Sequence, residues 1–272
     1  MRLSNNYKGL NNLGNTCYLN SGLQLIMNNK ELCQHIINIP ELSEFVKTYY
    51  NSNLDSLSPQ LIKDIVSRTN REFIGYNQND AFEFIIYFLE YIFNNIKQNG
   101  IYEIQTKITV KCKLLTCLSK SEHIEKNNFL LLNINEDTNN LDDCYRNYKQ
   151  KEKLMDDNIY FCEKCNEKRI ASKTTEICVW PKHLIVVLKR FSHNGRSNKI
   201  TKNISVPVNW RHNYVLKGIV FHSGSVFGGH YIYIGYHNEK WIVFNDNSTY
   251  DLIPNQLNNY KDNGYIYYYE RV

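Results

Sequence analysis

The sequence predicts an α+β protein, with a helical first third ahead of a β-rich remainder, and three observations carry that prediction. Apolar residues recur at helical spacing from Cys17 to about Lys97. The pattern changes to alternation after Tyr102. From Ile170 onward nearly every segment is rich in β-branched and aromatic residues, with Gly and Asn turns between them. At 272 residues, 42% hydrophobic and 13% aromatic, the chain can bury a large core, which rules out disorder as its overall state. With five prolines, no Pro-rich linker and no internal repeat, nothing divides it into separately folding pieces. One domain spanning 1–272 is expected, built from interlocked lobes.

Taken in order, the spacing predicts helices over Thr16–Met27, Leu57–Arg68 and Asn79–Ile96. In the last of these Ala81, Phe84, Ile85, Phe88, Ile92 and Ile96 share a face. Strands follow at Thr106–Lys113 and Phe129–Asn135, then a short helix at Leu141–Tyr148. The final third reads as a sheet of strands at Thr174–Val179, Leu184–Phe191, Tyr214–His222, His230–Tyr236, Trp241–Phe244 and Tyr265–Tyr269.

Charge and composition exclude several classes of function. The net charge is +5, from 32 basic and 27 acidic residues, and the basic residues are spread without a concentrated patch, so nucleic acid is not the implied partner. The longest apolar run, Phe82 to Phe93, is broken by Glu83 and Glu90 and falls short of the ~20 residues a membrane span needs. The opening MRLSNNYKGLNN has no apolar segment of the secretory kind. A monomer inside a cell, cytoplasmic or nuclear and without membrane attachment, is expected. In a reducing compartment the eight cysteines read as thiols, a nucleophile or metal ligands rather than disulfides.

Four stretches carry chemistry. In GLNNLGNTCYLNS, Gly9 to Ser21, a Gly- and Asn-rich turn runs into an apolar helix with Cys17 at its start. Unpaired N–H groups and the positive end of the helix dipole favour a thiolate there, although a lone cysteine is as readily a buried structural thiol. In GGHYIYIGYHNEKWIVFND, His230 opens a strand after Gly228-Gly229, and the next strand ends at Asn245 and Asp246. A hairpin of that length brings either residue beside His230 to fix its tautomer, completing a nucleophile, a base and an orienting group. Asp80 and Glu83 open a helix, where acids are favoured by the dipole whatever else they do. In YFCEKCNEK, Cys162 and Cys165 have the C-x2-C spacing that places two sulfurs on one zinc ion.

With QNDAFEF (Gln78–Phe84), ASKTTEI (Ala171–Ile177) and P-x-x-LIVVLKRF (Pro181–Phe191), these segments resemble, over essentially the whole chain, the ubiquitin-specific protease family of papain-like deubiquitinases. That resemblance implies a papain-like fold, with a helical thumb (about 1–100), antiparallel fingers (about 101–180) and a β-sheet palm (about 181–272). It implies hydrolysis of the isopeptide bond after the C-terminal glycine of ubiquitin joined to lysine. Cys17 would be the nucleophile, His230 the general base and acid, and Asn245 the third member, with Asp246 the alternative; Asn12 would hold the oxyanion. Asp80 and Glu83 would meet the basic ubiquitin tail, with Gln78, Gly229 and Tyr231 lining a narrow channel. Ubiquitin and ubiquitinated proteins would be the partners, and no catalytic cofactor would be needed.

The family's fingers often hold zinc with two C-x2-C pairs. Here Leu114 stands where the partner of Cys117 is expected, and Cys112 lies two residues early, giving C-x4-C. A site from Cys112, Cys117, Cys162 and Cys165 requires a longer turn, and fingers without metal are the alternative. Cys33, Cys144 and Cys178 read as packing residues. Two other functions compete: a ubiquitin-binding scaffold without activity, which predicts a replaced Cys17 or His230, and a zinc-ribbon nucleic-acid module, which leaves both catalytic-looking segments unexplained. A protease for a ubiquitin-like modifier is the nearest variant of the favoured reading.

Overall fold

Helices form where an apolar stripe meets a starting signal. The computed structural model describes residues 7–96, 100–192 and 198–272; the first six residues and Lys97, where the helical third was expected to end, lie outside these. The first helix, Cys17–Asn28, follows a tight turn in which Gly14 and Asn15 take left-handed φ values of +107° and +53°. The long helix Ala81–Asn95 is capped by Asp80, whose carboxylate accepts from the N–H groups of Phe82 (2.6 Å) and Glu83 (3.2 Å). Gln60–Thr69 starts later than its apolar pattern suggests, because Ser56–Leu57 is instead a short strand parallel to Gly9–Leu10. Lys30–Ile36 and Pro40–Asn51 are helices that the spacing did not single out. Their start signals are nevertheless present: Asn29 caps the first by accepting from Leu32 N–H, and Pro40 opens the second.

The Cys17 helix is buried from Cys17 to Met27 and forms the centre of this lobe. Gly22 is needed where the Ala81–Asn95 helix crosses it, since an added Cβ would lie 2.6 Å from Phe84 Cδ1.

The main sheet runs in the order Ser248–Asp251, Lys240–Asn245, Gly228–His237, Tyr214–Ser225, Ile266–Arg271, His183–Leu188 and Leu130–Leu132, with Asn209–Trp210 paired onto Tyr214–Ser225. All neighbours are antiparallel except Leu130–Leu132, which lies parallel to His183–Leu188. Successive side chains point to opposite faces, so the inner strands feed two cores. Ile185, Val187, Tyr233, Phe244 and Tyr268 join the helical lobe. Val186, Ile234, Val243, Tyr267 and Tyr269 form a second core with the Leu141–Tyr148 helix.

A second antiparallel sheet has the order Lys120–Asn127, Ile104–Cys112, Ala171–Val179, Glu152–Leu154. A small hairpin, Tyr160–Cys162 with Glu167–Arg169, lies beside it in sequence. Every residue of Lys120–Asn127 is exposed, so its sequence has no apolar alternation to reveal a strand. Cys33 and Cys144 are buried as expected, but Cys178 is not a packing residue. It lies exposed beside a register shift in its strand pair and donates to the Gln105 carbonyl at 3.2 Å.

Arg190 is the largest of the fully buried side chains. Its guanidinium donates to four carbonyls, those of Gly264 (2.7 Å), Lys202 (2.8 Å), Ile200 (3.1 Å) and Asp262 (3.1 Å), and so pins two loops beneath the sheet. Orphaned buried carbonyls cost roughly 1–3 kcal/mol each. Arg190→Met is therefore expected to lower unfolding free energy by about 3 kcal/mol or more by denaturant titration, while Lys189→Met at the neighbouring exposed site changes it little.

Candidate active site

The turn before Cys17 is tied by its own side chains. Asn12 Oδ1 accepts from the N–H groups of Gly14 (2.9 Å) and Thr16 (3.1 Å), and Thr16 Oγ1 accepts from Leu13 N–H at 2.8 Å. Cys17 thus enters the helix from a rigid loop rather than a conventional side-chain cap. The hairpin closing the other side begins at Gly228–His237, against which the Cys17 helix packs. His230 Nε2 lies 2.6 Å from Asn245 Oδ1, so the ring donates there and Nδ1 is the nitrogen left for proton transfer.

Of the two residues the sequence offered as partner to His230, Asn245 meets it and Asp246 does not. Asp246 takes a left-handed φ of +50° and turns its carboxylate the other way, accepting from Asn12 Nδ2 (2.8 Å) and Asn20 Nδ2 (2.7 Å). Its carbonyl accepts from Leu10 N–H at 2.8 Å. The Asn12 amide, expected to face an oxyanion, is held by this carboxylate in the free chain. Asn20, buried within the helix, was not singled out, because an asparagine on an apolar helix has no sequence signature that separates a clamp from a misplaced polar residue.

The thiol also departs from expectation. Burial pushes the Cys17 thiol up, and the negative charge of Asp246 adds to this. Backbone hydrogen bonds at Tyr231, Tyr18 and Cys17 itself pull the other way without prevailing. The helix terminus therefore does not by itself make a thiolate here, since desolvation outweighs it.

Next to these residues lies a groove of about 610 Å³. Gln78 bridges it, accepting from Gly229 N–H at 3.2 Å and donating to the Gly229 carbonyl at 3.4 Å. Gly229 admits no side chain, since a Cβ would meet His222 Nε2 and Ser223 O at 2.2 Å each. Asp80 does not reach outward with Glu83 as the sequence suggested. Besides capping its helix, it accepts from the hydroxyls of Tyr265 (3.1 Å) and Tyr231 (3.2 Å), and burial pushes its carboxyl up against those four donors. Glu83 remains exposed on the groove wall. His222, Phe191 and Tyr265 line the same groove and were not singled out as site residues: His222 is buried against Tyr231, and burial lowers its imidazole to about 4.

A profile of the family described as "Ubiquitin carboxyl-terminal hydrolase" matches residues 8–269 of this sequence. The chain belongs to this family. It is 27% identical to "Ubiquitin carboxyl-terminal hydrolase Usp2" of Drosophila melanogaster, an alignment covering 97% of this chain and 35% of that protein. It is likewise 27% identical to "Probable ubiquitin carboxyl-terminal hydrolase 16" of Schizosaccharomyces pombe, covering 98% of this chain and 67% of that one. The chain therefore spans about a third of the first relative and two thirds of the second. Its fold matches the SAGA DUB module of Ubp8, Sgf11, Sus1 and Sgf73 bound to monoubiquitin, with a TM-score of 0.83, 25% identity, and coverage of 97% of this chain and 68% of that one. The same module bound to ubiquitin aldehyde gives 0.81 at 23% identity, covering 99% and 70%. The α+β expectation, with its helical lobe, β-sheet and cysteine-bearing antiparallel sheet, agrees with these matches.

At the far end of the second sheet, Cys112, Cys117, Cys162 and Cys165 converge, their sulfurs all within 4.8 Å of one another. A tetrahedral zinc with arms of about 2.3 Å requires sulfurs roughly 3.8 Å apart. The Cys117 and Cys162 sulfurs lie at 3.7 Å, and a donor set of four thiols is the one a structural zinc takes. The irregular C-x4-C spacing is absorbed by a turn in which Cys117 N–H donates to the Leu114 carbonyl (2.9 Å) and Cys112 N–H to that of Ser119 (3.2 Å). Zinc bound there would cross-link the sheet end to the Tyr160–Arg169 hairpin.

Two measurements follow from this geometry. A thiol held above its ordinary range is less ionised at neutral pH and gains thiolate about tenfold per pH unit until the raised pKa is reached. Iodoacetamide at about pH 7 is therefore expected to label exposed Cys178 well before Cys17, and the labelling of Cys17 to rise about tenfold per pH unit, as read by peptide mapping. Metal analysis is expected to find one zinc per chain, and Cys162→Ser to lose it together with several degrees of melting temperature.

Proposed function

We propose that this chain is a thiol-dependent deubiquitinase that hydrolyses the isopeptide bond after the C-terminal glycine of ubiquitin conjugated to lysine. The observation that carries this reading is the His230–Asn245 pair at 2.6 Å, on two neighbouring strands that pack against the helix opened by Cys17. Cys17 would serve as nucleophile, its thiol giving its proton to His230 Nδ1, and Asn245 would keep the imidazole in the required tautomer. The thiolate adds to the glycine carbonyl, and the oxyanion is met by backbone N–H groups near Cys17 and by the Asn12 amide once it leaves Asp246. His230 returns the proton to the departing lysine amine, then activates the water that cleaves the thioester. Asp246 holds the loop of Asn12 instead of orienting His230.

Under this reading residues up to about 100 are the thumb, about 101–180 the fingers and the remainder the palm. Gln78, Gly229 and Tyr231 frame the channel for the ubiquitin tail, with Glu83 on the groove wall as the acid its basic residues would meet. Asp80 supports that channel from beneath, through the hydroxyl of Tyr231. The chain acts as a monomer inside the cell, on ubiquitin and ubiquitinated proteins. The raised thiol and the engaged Asn12 amide favour a resting site that ubiquitin binding rearranges, which explains a complete set of reactive residues in an unready arrangement.

Ubiquitin carrying a thiol-reactive group at its C-terminus tests this directly. A covalent adduct is expected with the native chain and none with Cys17→Ala, while probes of ubiquitin-like modifiers react at least tenfold more slowly. Binding without an adduct would establish the scaffold reading instead.

A further inference from the structure

Beyond the candidate active site, the surface least accounted for is the tip of the second sheet. The loop joining Ile104–Cys112 to Lys120–Asn127 carries Leu115 at 97% exposure and Leu118 at 86%, with Leu114 also exposed. Single exposed leucines are ordinary, but two extended almost wholly into water on one short loop are not. The loop is braced by the Cys117 turn and the four-thiol cluster, so presenting these side chains requires no ordering on contact.

Lysines stand behind the leucines on one face. Lys111 pairs in register with Lys120 on one side and Ser172 on the other, and Ser172 with Lys153. Directly opposed residues share a face, so Lys111, Lys120 and Lys153 form one transverse row. Lys113 and Lys151, each one residue beyond the end of its strand, lie against each other. The pleat sorts the nearby acids: Glu152 points to the opposite face, where it meets Lys173, while Glu122 engages Lys120 at 2.7 Å. Among the described residues no carboxylate forms an ion pair with Lys111, Lys113, Lys151 or Lys153.

We propose that this tip docks on an anionic lipid bilayer, Leu115 and Leu118 entering the headgroup region while the lysine row meets the lipid charges. A bare cationic row would suit any polyanion, but the leucines decide between them. Nucleic acid offers them nothing, since the loop has no aromatic side chain for a base to stack on. A protein partner would need a pocket shaped to a protruding tip, whereas a bilayer accepts an exposed apolar tip backed by lysines without one. No helix among the described residues is long and apolar enough to span a membrane, so the contact is peripheral.

The test is flotation of the full chain with vesicles of phosphatidylcholine alone or with about 30% phosphatidylserine added. Binding is expected only to the anionic vesicles and should weaken as salt rises. At about 1 kcal/mol per lysine near such a surface, the triple variant Lys111→Gln, Lys113→Gln, Lys151→Gln should lose on the order of 10²-fold in affinity. The double variant Leu115→Ser, Leu118→Ser should lose at least tenfold, with its melting temperature unchanged because both side chains are already exposed. No binding to anionic vesicles would overturn the proposal, as would binding that ignores the leucines, which would leave only a polyanion site. Reaction with the ubiquitin probe should be the same in all these variants, so the outcome is independent of the deubiquitinase reading.

Discussion

The site depends on one carboxylate. Asn12 and Asn20 come from the beginning of the chain and Asp246 from near its end, 234 and 226 residues away, and the two hydrogen bonds to Asp246 draw these parts together. A third bond, from Leu10 N–H to the Asp246 carbonyl, and the close packing of Gly9 on the Asn247 backbone extend the seam. The left-handed φ of Asp246 turns its side chain away from His230 and leaves Asn245 alone on the imidazole. One backbone conformation at the end of a strand therefore assigns two adjacent residues to different tasks. It also sets a conflict into the site, because the charge that closes the seam helps keep the Cys17 thiol protonated.

The groove shows the same balance between holding and using. Gln78 occupies both backbone groups of Gly229, and the Asn12 amide is committed to Asp246. These are polar groups an incoming extended chain would otherwise engage, and in its absence they satisfy one another. Exchange of such bonds costs little when the entering peptide replaces each of them, which is how a closed groove can remain accessible. Asp80 is different in kind: four donors converge on it, and it fixes the helix start, Tyr231 and Tyr265 together. It belongs to the frame on which the groove rests.

Much of this was legible in the sequence, and what was not has identifiable causes. Runs rich in β-branched and aromatic residues located the central strands, which are apolar throughout because they are buried on both faces, and the Leu141–Tyr148 helix appears with its expected bounds. Lys120–Asn127 escaped because it is exposed throughout, and its strand character comes from register with Ile104–Cys112 rather than from its own residues. Cys17, His230 and Asn245 could be picked out because each sits at or near an end of its element, the first two close behind glycines. The direction in which the Cys17 thiol shifts could not, since the helix terminus is local and readable whereas its burial depends on the sheet packed against it. Asp80 was misjudged for a related reason: spacing on a helix gives a direction, but the tyrosines that capture the carboxylate lie 151 and 185 residues away.

The cysteine cluster shows how tertiary geometry relaxes a rule of spacing. C-x2-C reads as a metal half-site because two residues between the thiols leave one backbone path that brings them together, and Cys162 and Cys165 follow it, with Cys165 N–H donating to the Cys162 carbonyl at 3.1 Å. Cys112 and Cys117 are not bound by that path, because Cys112 is the last residue of a strand and Cys117 lies in the loop beyond it. The strand supplies the direction that a tighter turn would have supplied, and the added residues become a loop that must go somewhere. With the thiols turned inward and sheet on the inner side, solvent is where it goes, so the longer spacing and the exposed leucines have one cause. An insertion tolerated for the metal is then available as a surface, and its use is decided by what lies behind it, which here is a row of lysines.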